Sequence, residues 1–203
     1  MTDFFALLNE PRRPALDVGR LRQKFLALAA DVHPDRVHNS SEAEKAAANR
    51  HYADLNAACH CLTDPKTRLL HLLELERGSR PAEIQTIPPA LADWFVGIAA
   101  ICREADAFLQ EREKVTSPLL KIQWFERAQA WVERLQEWQK NLGGLRGELD
   151  ARLELLDDAW QNASPVPETK AARLARLEEL YRFYGYFNRW QNQLAERIAR
   201  LSF

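Results

Sequence analysis

The sequence predicts an all-α protein in two parts: an N-terminal helical domain built on an antiparallel helix hairpin, then a C-terminal three-helix bundle. Three observations carry this. Apolar residues recur at steps of three and four through most of the chain, the period of a buried helix face. Glycine is scarce, at 7 of 203 residues, and no run of β-branched residues reads as a strand. Proline gathers at a few places and divides a half of short helices from a half of long ones.

The elements follow in order. "TDFFALLNEP" reads as a short first helix capped by Thr2, with Phe4, Leu7 and Leu8 on one face and Asn9 and Pro11 ending it. After the loop "NEPRRPAL", Asp17 is placed to cap a second helix. Its Val18, Leu21, Phe25, Leu28 and Val32 share a face, and Arg20, Arg22 and Lys24 lie mostly off it. This helix stops at His33-Pro34-Asp35. Ser41 and Glu44 form a capping box that starts a third helix. Ala48, Tyr52, Leu55, Cys59 and Leu62 give that helix a matching stripe, so it packs antiparallel to the second. Asp64 caps a fourth helix, Pro65 occupies its first turn and Gly78 its C-terminus. "SRPAEIQTIPP" then breaks the pattern. The expected division is a domain over 1–77, a linker over 78–88 and a helical bundle over 89–203.

In the second half, one helix is expected near 89–113. Residues near 117–161 form either one very long helix or two split at Gly143-Gly144. A last helix runs near 168–201, after the turn "NASPVP". Trp124, Trp131 and Trp138 stand seven apart, and Ala128, Leu135, Leu142, Leu145, Leu149, Leu153, Leu156 and Trp160 complete their stripe. Large aromatics at this spacing fill a narrow bundle core.

Composition excludes several function classes. A formal net charge of -1 gives no basic field for nucleic acid. The segment "ETKAARLARLEELYRFYGYFNRWQNQ" is basic and aromatic, but its apolar residues keep helical spacing and Glu178 and Glu179 dilute its charge. Hydrophobic residues at 46% and charged residues at 28% are ordinary for a soluble globular protein. No apolar run reaches membrane-spanning length, and "MTDFFALL" has no basic region before a long apolar run, so neither membrane insertion nor a signal peptide is expected. Three cysteines form no paired disulfide framework, which points to a reducing, cytoplasmic setting. Cys59, His60 and Cys61 suggest a metal cluster, but residues two apart on a helix point about 200° apart. No metal, cofactor or enzyme activity is expected, since no phosphate loop, nucleophile elbow or paired catalytic carboxylates appear.

His33-Pro34-Asp35 is the informative tripeptide. Pro34 takes the chain out of the helix and restricts the conformation of His33. Termination explains Pro34 but neither neighbour. A stiff apex carrying an imidazole and a carboxylate suits recognition, where such groups fix register and specificity. With "DFFALL", "LNAACHCL" (including Asn56-Ala57) and "DPKTRLLHLL" (Asp64 to Arg68), residues 1 to about 77 resemble the J-domain. J-domains stimulate the ATPase of seventy-kilodalton heat-shock chaperones of the DnaK type. The resemblance implies that His33, Pro34, Asp35 and Arg36, with Arg20, Arg22 and Lys24, bind such a chaperone. The chain departs from the pattern at Ala30-Asp31-Val32, where family members usually carry a basic residue and a Tyr, and Asp31 is expected to weaken the local positive potential.

The chain as a whole resembles the HscB family of iron–sulfur cluster assembly, through "AEKAAANRHYADLNAACHCL", "TRLLHLLEL" and the closing "QLAERIARLSF". That family implies delivery of an iron–sulfur scaffold of the IscU type to an HscA-type chaperone. Its client face uses apolar and acidic residues of the first bundle helix and a Phe on the last. Carried over, this places Phe183 (after Arg182) and Arg103-Glu104 at matching positions, with Trp94, Phe95 and Ile98 supplying apolar surface. Val96, Gly97, Ala100 and Ile101 stand where the family has a bulkier, more acidic set. Two alternatives stay open: a J-domain co-chaperone with a different client, and a helical interaction module outside chaperone function.

Overall fold

The computed structural model describes residues 2–33, 36, 41–82, 87–112, 117–162 and 169–202. Pro34 and Asp35, linker residues 83–86 and most of the "NASPVP" turn lie outside them. Among the described residues the regular structure is entirely helical: α1 (Phe4–Leu7), α2 (Val18–Asp31), α3 (Glu42–Thr63), α4 (Pro65–Arg77), α5 (Ala92–Arg112), α6 (Pro118–Gln161) and α7 (Lys170–Ser202), with a 3₁₀ turn at Pro89–Leu91 leading into α5.

The caps explain most boundaries. The Asp17 carboxylate accepts from the Arg20 N–H at the start of α2. Ser41 and Glu44 close a full capping box on α3. Asp64 accepts from the Thr67 N–H, Pro65 opens α4, and Gly78 ends it in the left-handed region at φ 74°. The first helix differs from expectation. Its cap is Asp3, not Thr2: the Asp3 carboxylate accepts from the Phe5 and Ala6 N–H groups and is itself held by Arg12. α6 is a single helix of 44 residues that runs through Gly143-Gly144. Each glycine costs a helix about 1 kcal/mol. The buried Leu142 and Leu145 on either side return about 1.5–3 kcal/mol each, which outweighs that cost.

The chain forms two compact units, Met1–Ala82 with Arg152–Arg182, and Glu83–Ala151 with Phe183–Phe203. In the first, α1 and α2 pack on α3, and α3 packs on α4. Phe5, Leu8, Leu21, Leu55, Leu62, Leu69, Leu72 and Leu73 are among its fully buried core residues. The loop over 9–17 has no regular hydrogen-bond ladder, so its polar groups need side-chain partners. Arg68 is buried and donates to the carbonyls of Pro14 at 2.7 Å and Leu62 at 2.6 Å. Lys24 Nζ donates to the Asn9 carbonyl at 2.7 Å and pairs with Glu10 at 2.6 Å. The buried Asp157 of α6 pairs with Arg13 and accepts from the Ala15 N–H at 3.1 Å and from Gln161 at 2.7 Å. Trp160 Nε1 donates to the Arg12 carbonyl at 3.1 Å. The end of α6 thus completes the N-terminal unit.

In the second unit Trp124 is buried with Ala128, Leu135 and Leu142 of its stripe, while Trp131 and Trp138 are half-buried at the edge of the core. Phe108 stacks on Trp124 with centroids 5.2 Å apart and on Trp131 at 6.0 Å. Trp94 meets Trp138 edge-on at 6.1 Å. The stack is closed by cations: Arg112 lies over Trp124, Arg127 over Phe108 and Arg134 over Trp131. A Cβ on Gly97 would overlap the Trp138 ring, so the close approach of that ring requires a glycine here.

Two predictions follow from the N-terminal unit. His71 is buried, its Nε2 accepts the Phe4 N–H at 3.1 Å, and its ring stacks against Phe5. Only a neutral imidazole accepts in this way. Burial holds its pKa below the ordinary 6.5, against the opposing pull of Asp3 and Glu74 and with the help of Arg12. The unfolded chain therefore binds the proton more readily. The stability His71 contributes is complete above about pH 6.5 and is lost as pH falls through the folded-state value. Thermal midpoints measured from pH 8 to 5 should fall at the acid end, and His71→Phe should lose this part of the pH dependence. Separately, Asp157→Ala removes a buried partner from Arg13 and the Ala15 N–H, and should cost about 3 kcal/mol in urea denaturation.

Candidate chaperone-docking loop and client surface

The connection between α2 and α3 carries the residues singled out by sequence. α2 ends at Asp31, with Val32 as its cap, and His33 follows, exposed to solvent. The His33 ring sits edge-on against Tyr52 of α3, centroids 5.9 Å apart. Tyr52 is also the residue whose carbonyl accepts from Asn56 at 2.9 Å, which gives the Asn56 of the "N-A" pair a local structural role. Arg36 is exposed and pairs with Asp31 at 3.0 Å, so Asp31 meets a cation on the far side of the tripeptide.

The basic residues of α2 divide. Arg20 and Arg22 are exposed. Lys24 instead turns back onto Asn9 and Glu10, so its charge is matched within the chain. Leu26, which lies off the expected apolar stripe, is a large apolar side chain exposed on the same helix, one turn from Arg22. Its signal in the sequence was its position off the Val18–Leu21–Phe25–Leu28 face.

The client candidates divide more sharply. Phe95 is exposed and Trp94 half-buried against Trp138. Ile98 and Phe183 are core, 1% and 2% exposed. The expectation that they stand on an open patch is corrected by helix geometry. Ile98 shares its face with the buried Ile101, Cys102 and Ala105, and Phe183 shares one with Leu180 and Phe187. Glu104 is exposed but paired with Arg134 of α6 at 3.0 Å.

The cysteines are structural in setting. Cys61 donates to the Thr67 carbonyl, and burial pushes its thiol up to about 11. Cys102 is buried and shifted the same way, chiefly by burial. A thiol so shifted stays protonated near neutral pH and makes a poor metal ligand. Among the described residues no three His, Cys, Asp or Glu side chains come together as a metal site, and no helix is long and apolar enough to cross a membrane.

Comparison with known proteins decides the family. No family model matches the chain. The co-chaperone protein HscB homolog of Chromobacterium violaceum is 39% identical over 88 residues, which span 43% of this chain and 50% of that protein. The HscB homolog of Bordetella pertussis is 33% identical over 126 residues, 60% of this chain and 74% of its own length. The chain belongs to the HscB co-chaperone family. Solved HscB structures share its all-helical fold. The crystal structure of human HscB aligns over 98% of this chain and 81% of its own at a TM-score of 0.61 and 20% identity. HscB from Vibrio cholerae aligns over 96% of each chain at 0.54 and 18%.

Placing Phe183 in the core of an HscB-type bundle gives a direct test. Phe183→Ala should cost about 3–5 kcal/mol of folding stability, read from chemical denaturation, because it opens a cavity in packed core.

Proposed function

We propose that this protein is a J-domain co-chaperone of iron–sulfur cluster assembly. It stimulates ATP hydrolysis by a DnaK/HscA-type chaperone and delivers a client to it, with an iron–sulfur scaffold of the IscU type as the favoured client. In this reading it has no catalysis of its own, needs no cofactor and works in the cytoplasm without nucleic acid or membrane. Residues 1–77 act as the J-domain, 78–88 as a linker and 89–203 as the client-binding part. The observation that carries the reading is the exposed His33 heading the "HPD" connection of the α2–α3 pair, on a chain of HscB descent.

The chemistry supports a short docking surface. His33, Pro34 and Asp35 give it specificity. Arg20 and Arg22 give it positive charge, since Lys24 is spent on the loop and Arg36 is shared with Asp31. A second reading, a J-domain co-chaperone with a different client, gains from the burial of Ile98 and Phe183, which takes two expected contacts from the transferred client face. Scaffold synergy in the chaperone ATPase assay separates the two.

Asp35→Asn should abolish ATPase stimulation while the circular dichroism spectrum and thermal midpoint stay unchanged. Wild-type stimulation should fall as salt rises from 50 to 300 mM (about 14 to 6 Å of screening length). Full stimulation by folded Asp35→Asn overturns the docking assignment.

A further inference from the structure

Arg22, Leu26 and Ala30 follow one another by a turn of α2, and His33 comes about one turn after Ala30. At 3.6 residues per turn such steps keep them in one row, which leads to the tripeptide. All four are exposed. Leu26 is the large apolar side chain of the row, 64% exposed. Its exposed neighbours Ala27 and Ala30 are short, so the leucine stands above them. A single exposed leucine needs no partner. This one is set apart by its place between Arg22 and His33. About 10 Å of helix axis separates it from His33, within the span of one protein–protein contact.

The cations of α2 lie elsewhere. Arg20 is two residues from Arg22, so it projects from the opposite flank. There it borders a cavity with Glu10, Asp17 and Glu154, and adds to the potential rather than to the row. Lys24 is held by Asn9 and Glu10. Arg36 pairs with Asp31, which is turned about 140° from Leu26 round the helix axis. Between Arg22 and His33 the row therefore offers an apolar surface, not a basic one.

We propose that Leu26 is the apolar anchor of chaperone docking. The partner is a DnaK-type chaperone whose docking surface presents an apolar recess one helical turn from an acid. Leu26 enters the recess, Arg22 meets the acid, and His33 closes the far end of the same contact. The inference rests on the docking reading given above and adds which chaperone is accepted. A chaperone with a carboxylate in place of the recess would have to bury it against Leu26 unpaired, and is rejected. Docking keeps a salt-dependent part through Arg22 and gains a salt-independent part through Leu26.

The test uses the full-length chain with the purified DnaK-type and HscA-type chaperones of the same cell. Single-turnover ATP hydrolysis is followed against co-chaperone concentration at about 50 and about 300 mM salt, which gives a half-maximal concentration and a maximal rate. Wild type is compared with Leu26→Ala, Leu26→Lys and Arg22→Gln. The control is Leu155→Ala, a leucine of like exposure on α6. Thermal midpoints check each fold. Leu26→Ala should raise the half-maximal concentration about tenfold at both salts and leave the maximal rate unchanged. Leu26→Lys should dock at least as weakly. The deficit of Arg22→Gln should narrow at high salt, and Leu155→Ala should match wild type. If wild type stimulates and Leu26→Ala matches it, or if Leu26→Lys docks more tightly than wild type, the recess is wrong and the docking reading stands. If wild type stimulates neither chaperone, the docking reading fails and the role of Leu26 falls with it. A concentration-dependent dimer in sedimentation, abolished by Leu26→Ala, makes a second copy the occupant and overturns the proposal.

Discussion

The loop over 9–17 must have its backbone polar groups satisfied without a helix or sheet to do it, and the N-terminal unit is organised around that need. Arg68 reaches the Pro14 carbonyl, Lys24 the Asn9 carbonyl, Trp160 the Arg12 carbonyl and Asp157 the Ala15 N–H. An unpaired buried amide or carbonyl costs on the order of 1–3 kcal/mol, so these partners outweigh most single contacts of the unit. The arrangement gives physical meaning to the "DPKTR" segment. Asp64 and Pro65 begin α4 at the right point, and Arg68, one turn later, is delivered into the loop. It also explains why Arg152–Arg182 fold with the first 82 residues.

Much of this was legible in the sequence. Caps are local, and Asp17, Ser41 with Glu44, Asp64 with Pro65, and Gly78 stand where their residue types and spacing put them. The tryptophan stripe was readable for the same reason, since periodicity reports which face is buried. What escaped depends on partners distant in sequence. Lys24 looks like one of three basic residues on a helix until Glu10 is seen beside it. Asp157 looks like one acid among many on α6 until Arg13 and Ala15 meet it. Ile98 and Phe183 were assigned by resemblance to a face, and a face depends on rotation about the helix axis, which local packing in this chain sets. Thr2 was the cap expected from the sequence, and the neighbouring Asp3 takes the role, its carboxylate held by Arg12.

The bundle shows a second economy of charge. Arg127 and Arg134 each lie over an aromatic ring and also pair with an acid of α5. Exposed ion pairs alone contribute little, up to about 1 kcal/mol. A guanidinium that also covers a ring adds dispersion and cation–π attraction, and shields the edge of the Trp124–Phe108–Trp131 stack from water. Gly97 belongs to the same design, because the Trp138 ring occupies the space a side chain would need.

The fastening of the N-terminal loop also bears on the order in which the protein is made. Arg13 and Asp157 are 144 positions apart. Synthesis proceeds from the N-terminus at about 5–20 residues per second, so α1 to α4 leave the ribosome seconds before Asp157 and Trp160 exist. Contacts this distant in sequence close late, after local helices have formed. A nascent chain therefore carries its His33 connection on helices whose preceding loop is held by Lys24 and Arg68 but not yet by Asp157 and Trp160, and the finished N-terminal unit is available only once the second half of the chain has been translated.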